Sequence, residues 1–302
     1  MTPFSMLRFG LLCLCMIAGA IFAHSTRQVP VVVWTQNSKQ AVVDRTQNAQ
    51  TGEHQLVVRL TDQGQPTIQS VLLDSELRCN APDDLQFIVH NERMAIVGDR
   101  YRDSVIHALT LSPNLSIERT WTCLNPAPSP ANGLIAFRNP VQQTIPATHS
   151  AVVCLLNVAR KAEPTIVYPS KSETPQTLDD QVAVLSPFVW NQTGTKFVFL
   201  AKWTDSDRYR LVLVDASRAL IGGLLADASI PEAGDELLVQ TTVTPLTLQQ
   251  LNAGTAKPDR HGRVKIAVEK MQWKSPNEIQ IDLRAGEEWG LTTATLAVGG
   301  RP

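Results

Sequence analysis

The sequence predicts an all-β protein that is built from repeated antiparallel sheets. Two observations lead to this prediction. Short runs of apolar and β-branched residues are separated by polar turns, and one turn-plus-strand pattern recurs along the chain. The composition agrees, because 19 prolines, 16 glycines and 43 % apolar residues among 302 favour strands and turns around a large core.

The recurring pattern is a polar turn followed by an apolar-rich strand, as in TGTKFVFLA at Thr193–Ala201. Three of its five spacings lie close to about 42 residues, the length typical of a four-stranded repeat unit. The six copies are Asn37–Arg45, Asn91–Asp99, Ala131–Asn139, Thr193–Ala201, Ala233–Thr241 and Pro276–Arg284.

A second strand-like run follows every copy, and shorter runs flank several of them, which gives about four strands per repeat. Repetition of four antiparallel strands is typical of β-propeller blades. One blade cannot bury both of its faces, whereas blades stacked around an axis cover each other. We therefore predict a β-propeller of six four-stranded blades over residues 29–299. Two β-sandwich domains in tandem are the alternative, because they share the same local pattern.

The segment Leu185–Ser217, LSPFVWNQTGTKFVFLAKWTDSDRYRLVLVDAS, resembles a TolB-type propeller repeat, in which a Trp-Ser-Pro-Asp-Gly-like turn precedes an Ile-Ala-Phe-like strand. Asn125–Phe137 is a looser match, and the other copies match only by position. The resemblance implies a propeller fold and contacts with protein partners in the periplasm. Shortly before the matching turns stand Trp34, Trp190 and Trp273, and we expect these indoles to pack between blades.

One segment has helical signals. In Thr244–Gly254, TPLTLQQLNAG, Thr244 is a candidate N-cap, Pro245 suits the first helical position and Gly254 suits a C-cap. We expect a short helical insertion near 244–254 within the fifth repeat.

Residues 1–23 have the layout of a secretory signal peptide. Arg8 precedes the apolar run Phe9–Ala23, which ends in small residues. The predicted location is therefore periplasmic or secreted. The alternative is a retained anchor in the inner membrane formed by residues 9–23, although a span usually needs about 20 apolar residues. Contact with a membrane is expected only through this segment, if it is not cleaved.

Removal of the signal peptide would leave three cysteines, Cys79, Cys123 and Cys154. Export permits a disulfide, and Cys79–Cys123 and Cys123–Cys154 are both possible pairs. The alternative is that all three are small buried apolar residues.

Motifs for metal, phosphate, dinucleotide or serine-nucleophile chemistry are absent from the sequence, so no cofactor and no catalytic residue is predicted. The formal net charge of −1 gives no sign of nucleic-acid binding. The densest basic cluster, Lys257, Arg260, His261 and Arg263, is the candidate ligand-binding site, because guanidinium groups bind carboxylate or phosphate through paired hydrogen bonds. A solvated loop is the alternative interpretation.

Two functions fit these observations. The first is an exported binding or scaffold protein of the cell envelope, without evident catalysis, which uses loops of one propeller face to recognise a protein partner or a small anionic ligand. The second is a secreted or periplasmic hydrolase or lyase, with a site at the mouth of the propeller channel. Such a site would be assembled from several blades and would leave no local motif.

Overall fold

Strands dominate the computed structural model. It describes residues 31–36, 38–47, 49–52, 54–62, 69–73, 77, 85–131, 133–139, 152–160, 163–169, 182–203, 209–217 and 239–298. Contacts divide the chain into two compact units, Met1–Ser75 with Asn80–Asp83, and Glu76–Cys79 with Asp84–Pro302. Within the described ranges every extended element is a β-strand. None of the described residues belongs to a helix that is long and apolar enough to cross a bilayer.

The first unit contains sheet I, a meander of four antiparallel strands: β1 (Val31–Gln36), β2 (Lys39–Gln47), β3 (His54–Asp62) and β4 (Gln69–Leu72). Ser38, at φ 69°, lies in the short turn that joins β1 to β2. Alternate side chains of the central strands are fully buried, as period-two patterning requires. They include Ala41, Val43, Val58 and Leu60.

The second unit begins with seven antiparallel strands: β5 (Gln86–His90), β6 (Arg93–Asp99), β7 (Ser104–Thr110), β8 (Ser116–Pro128), β9 (Leu134–Asn139), β10 (Val152–Asn157) and β11 (Thr165–Tyr168). Strand β8 serves two sheets, because its first part pairs with β7 and its last part pairs with β9. The register shifts between Leu124 and Ala127, where Asn125 has φ 50°. We call β5 to the first part of β8 sheet II, and the rest sheet III.

Sheet IV contains β12 (Val182–Val184), β13 (Val189–Trp190), β14 (Lys196–Trp203), β15 (Tyr209–Asp215) and β16 (Gln240–Leu246). Sheet V contains β17 (Ile266–Ser275), β18 (Glu278–Ala285) and β19 (Gly290–Ala297). All pairings in both sheets are antiparallel between the described strands.

Alternation along β14 explains how the sheets stack. Phe197 and Phe199 are fully buried in a core shared with sheet III, whereas Val198 and Leu200 are fully buried in a core shared with sheet V. Sheet IV therefore buries both of its faces. Full burial of each such side chain contributes about 1.5–3 kcal/mol, so the two cores hold the sheets together.

Strand β9 repeats this arrangement one sheet earlier. Leu134 and Ala136 face sheet IV, and Ile135 and Phe137 face sheet II. Sheets II to V thus form a continuous stack in which each inner sheet is covered on both faces. A β-sandwich covers only one face of each sheet, so the tandem-sandwich alternative does not describe the second unit. Successive meander sheets that cover each other are the blade arrangement that the sequence predicted.

Two indoles link neighbouring sheets. Trp190 Nε1 donates to the carbonyl of Ala127 in sheet III at 2.8 Å, and Trp273 Nε1 donates to the carbonyl of Val189 in sheet IV at 3.0 Å. The expectation that Trp190 and Trp273 pack between blades is therefore confirmed. Trp34 lies on β1 of the first unit.

When the seven-stranded sheet is divided at β8, the described residues form five sheets. The predicted count of six blades is not confirmed. Most of the fifth copy of the pattern, Ala233–Thr241, lies outside the described residues, and its end begins β16, the last strand of sheet IV. The second strand-like run of the fifth repeat was predicted at Arg263–Glu269. This run overlaps the start of β17 and therefore belongs to sheet V.

The helix predicted at 244–254 is wrong. Thr244 and Pro245 belong to β16, where Pro245 lies opposite Arg210. β16 is at the edge of the described sheet, so the missing N–H of proline interrupts no further ladder there. A reciprocal capping interaction forms three residues after the predicted N-cap. Thr247 Oγ1 accepts the N–H of Gln250, and Gln250 Oε1 accepts the N–H of Thr247. It closes a turn that buries Leu251, not a helix.

Candidate anion-binding site

The predicted basic cluster lies in the loop between β16 and β17. Arg260, His261 and Arg263 line one cavity of about 490 Å³, so the structure brings together three of the four predicted residues. The other wall comes from the turn between β18 and β19. The remaining lining residues are Asp259, Lys265, Gly286, Glu287 and Trp289.

Asp259 organises the loop. Its Oδ1 accepts the backbone N–H groups of His261 at 2.8 Å and Arg263 at 3.0 Å, and its own N–H donates to the carbonyl of Arg263 at 2.9 Å. The hydrogen bond from the Arg263 backbone is the main reason why the pKa of Asp259 is lowered, together with the bond from His261 and the nearby positive charges. The sequence analysis assigned no role to Asp259, whereas in the structure its hydrogen bonds hold the backbone of the segment that contains Arg260 and Arg263.

The loop is anchored to sheet IV at its base. Val264 is buried, and its carbonyl accepts the hydroxyl of the buried Tyr209 at 3.0 Å. Val264 also lies in the core between sheets IV and V. The exposed cations on either side therefore project from a fixed point of the fold.

Two backbone hydrogen bonds join the turn between β18 and β19 to the basic loop. The N–H of Gly286 donates to the carbonyl of Lys265 at 2.9 Å, and the N–H of Glu287 donates to the carbonyl of Lys257 at 3.0 Å. Gly286 has φ +76°, and a Cβ there would lie 2.9 Å from the Lys257 carbonyl oxygen. Only glycine fits both the conformation and the space. Lys257 thus contributes its backbone to the site, although its side chain does not line the cavity.

Trp289 is held in an unfavourable conformation at the cavity. Its φ is 51°, which costs an L-residue about 1–2 kcal/mol, and the side chain is 43 % exposed. Positive φ also occurs at Ser38, Asn91, Asn125 and Asn252, so at Trp289 it reflects the turn between β18 and β19, where its N–H donates to the carbonyl of Gly286 at 3.4 Å. Sequence reasoning gave neither Trp289 nor Glu287 a role. The signal that could have found them is the turn GEEWG, in which two glycines bracket Glu-Glu-Trp.

The basic side chains retain most of their hydrogen-bond donors. Arg260 Nε donates to His261 Nε2 at 3.1 Å, which leaves the terminal amino groups of Arg260 for a ligand. Among the described residues, no carboxylate forms an ion pair with Arg260 or Arg263. Elsewhere such pairs do form, between Lys196 and Asp215 and between Arg284 and Glu269. The arrangement can therefore accept an external anion.

A second cavity, of about 520 Å³, lies where sheets IV and V meet. It is formed by two equivalent corners, 189–193 and 272–276, and includes both linking indoles. The N–H groups of Trp190 and Trp273 already donate to backbone carbonyls, so neither indole offers this cavity a free donor.

The cysteines are remote from both cavities. Cys123 and Cys154 are free thiols buried in the core between sheets II and III, and Cys79 lies outside the described residues. Burial raises the pKa of each thiol to about 12. The predicted Cys123–Cys154 disulfide is not formed, since both thiols are free, and the alternative pair Cys79–Cys123 involves a residue outside the described ranges.

Across the described ranges, no three His, Cys, Asp or Glu side chains are grouped so that they could hold a metal ion. The predicted signal segment, residues 1–23, also lies outside the described residues.

No family model matches the chain, and no curated protein matches it. Several solved structures show a limited structural likeness to this chain. The β-propeller domain of the Trilobed protease from Pyrococcus furiosus is 10 % identical, with a TM-score of 0.31 over 90 % of this chain and 84 % of that one. TolB from Acinetobacter baumannii is 12 % identical, with a TM-score of 0.29 over 86 % of this chain and 52 % of TolB. Prolyl oligopeptidase B from Galerina marginata is 9 % identical, with a TM-score of 0.33 over 89 % of this chain and 43 % of the enzyme.

Proposed function

We propose that this chain is an exported binding protein of the cell envelope, and that the cavity beside Arg260 and Arg263 recognises a small anionic ligand or an acidic group of a protein partner. The observation that carries the proposal is the pair of guanidinium groups on a loop that Asp259 and Val264 fix, without ion pairs to described carboxylates.

The chemistry of these groups supports an anion. Guanidinium binds carboxylate or phosphate through two parallel N–H donors, and each charge-assisted bond contributes about 1.5–3 kcal/mol. Both side chains are exposed, so solvent weakens the interaction and we expect modest affinity. A fixed loop offsets part of this weakness, because less conformational freedom is lost on binding.

Export is supported by the sequence of residues 1–23, with its single Arg8 before an apolar run. Intact-mass analysis of the protein from the envelope fraction would show whether this segment is removed. The same measurement distinguishes a periplasmic or secreted protein from one anchored in the inner membrane by residues 9–23. The hydrolase or lyase alternative stays a prediction.

A calorimetric titration with succinate and with inorganic phosphate tests the binding function. Replacement of Arg260 and Arg263 by glutamine should weaken binding of whichever anion the protein prefers by about tenfold or more. Arg119→Gln is the matched control, because Arg119 is exposed and pairs with Glu163 away from the cavity. Equal affinity of the double variant and the unmodified protein, or no binding of either anion, would refute the proposal.

A further inference from the structure

We propose that the natural ligand of this cavity is zwitterionic, an amino acid or a short peptide that carries both a carboxylate and an ammonium group. The inference rests on the proposed function, because it assigns the carboxylate to Arg260 and Arg263. It adds a role for the opposite wall.

Glu287 gives that wall a negative charge. Its side chain lines the same cavity as Arg260 and Arg263, and its N–H is fixed to the carbonyl of Lys257. Among the described residues, no cation forms an ion pair with the Glu287 carboxylate. The cavity therefore has cations and the Asp259 carboxylate on the loop and the Glu287 carboxylate on the turn, and no ion pair between described residues joins the two elements.

A simple anion would interact favourably only with the guanidinium groups of the loop. Bound to the guanidinium groups, it would also be repelled by Glu287, and this repulsion grows as water leaves the cavity. An ammonium group on the same ligand turns the repulsion into attraction. Unpaired charges of both signs thus favour a ligand with both signs over one with a single charge.

Trp289 supplies the third contact. Its exposed indole lines the cavity and offers a face to an ammonium group or an apolar surface to a ligand side chain. A volume of about 490 Å³ falls within the range of small-ligand pockets and leaves room for more than a single small amino acid.

Matched probes separate the two charges. L-phenylalanine and 3-phenylpropionate differ only in the ammonium group, and the dipeptide glycyl-phenylalanine moves that group one residue further from the carboxylate. We expect one of the two zwitterions to bind about two- to fivefold more tightly than 3-phenylpropionate, the effect of one solvent-screened ion pair. The tighter of the two identifies a free amino acid or a peptide as the ligand source.

Glu287→Gln should abolish this preference while leaving the affinity for 3-phenylpropionate unchanged or higher. Glu288→Gln is the control, since Glu288 is exposed in the same turn but does not line the cavity. Equal binding of all three probes, unaffected by Glu287→Gln, would overturn the zwitterion while the anion site stands. Failure of every probe to bind would overturn this inference, whereas the proposed function is refuted only if succinate and inorganic phosphate also fail to bind.

Discussion

Trp273 Nε1 donates to the carbonyl of Val189 at 3.0 Å, and this bond joins the first strand of sheet V to sheet IV. Trp190 makes the equivalent bond one sheet earlier, to Ala127. The same residue type at the same place in two repeats performs the same task. Stacking of the sheets is therefore directed by specific hydrogen bonds as well as by the apolar cores.

We expect Trp273→Phe to lower the free energy of unfolding by about 1–3 kcal/mol, because it leaves a partly buried carbonyl without its donor. Trp190→Phe should have a similar effect. Urea denaturation followed by circular dichroism measures both. Trp289→Phe is the control, since its exposed ring links no sheets, and an equal loss in that variant would show that the indole bonds contribute nothing special.

Gly286→Ala should destabilise the protein by about 1–3 kcal/mol, because the new Cβ meets the Lys257 backbone in a left-handed conformation. Gly290→Ala is the matched control in the same hairpin, where a Cβ would meet no atom within 4 Å. Thermal unfolding of the two variants provides the comparison. Similar melting temperatures would contradict the contact between the turn and the loop.

Trp289→Gly should separate stability from binding. Glycine adopts positive φ without penalty, so the melting temperature should stay the same or rise, while the affinity for L-phenylalanine falls. Calorimetry and thermal unfolding test the two effects independently. A large loss of stability with unchanged binding would assign Trp289 a structural role.

The Asp259→Ala variant tests whether the shape of the loop or its net charge determines the affinity for an anion. Removal of a negative charge from a basic cluster should strengthen anion binding if charge alone decides. We expect weaker binding of succinate, because the backbone N–H groups of His261 and Arg263 lose their acceptor and the loop loses its fixed shape. Tighter binding would contradict this role of Asp259.

The buried thiols predict a pH effect. Because the pKa of Cys123 and Cys154 is about 12 in the folded protein and 9.0 is the reference value, the unfolded chain loses these protons first. Their contribution to stability is therefore complete below about pH 9 and falls between about pH 9 and 12. A variant with both cysteines replaced by alanine should lose less stability over this interval. An identical slope would contradict the buried, protonated thiols.

Recurrence of apolar, β-branched runs between polar turns predicted most of the fold, because such runs can be recognised in the local sequence. The copies at Asn91–Asp99 and Thr193–Ala201 contain the central strands β6 and β14. The predicted helix does not form at Pro245. Cross-strand pairing with Arg210 outweighs the preference of proline for the first turn of a helix. Assignment of β16 to sheet IV depends on that pairing, which spans distant parts of the chain.

The residues that line the cavity were predicted only in part. Charge density identified Arg260 and Arg263, since clustered cations are visible in any sequence. Glu287 and Trp289 reach the same cavity only through antiparallel pairing of β18 with β17 and β19, which returns the turn to the loop. Because the turn is distant from the loop in sequence, local sequence patterns could not identify these residues as neighbours.

The central claim is that the cavity between the loop around Arg263 and the turn around Glu287 binds an anion, which the guanidinium groups of the loop hold. Hydrogen exchange of the protein with and without saturating succinate tests it most directly. The account predicts slower exchange in 257–265 and in 286–289, with 189–193 and 272–276 unchanged. Protection confined to the second cavity at 189–193 and 272–276, or no protection in either place, would contradict it.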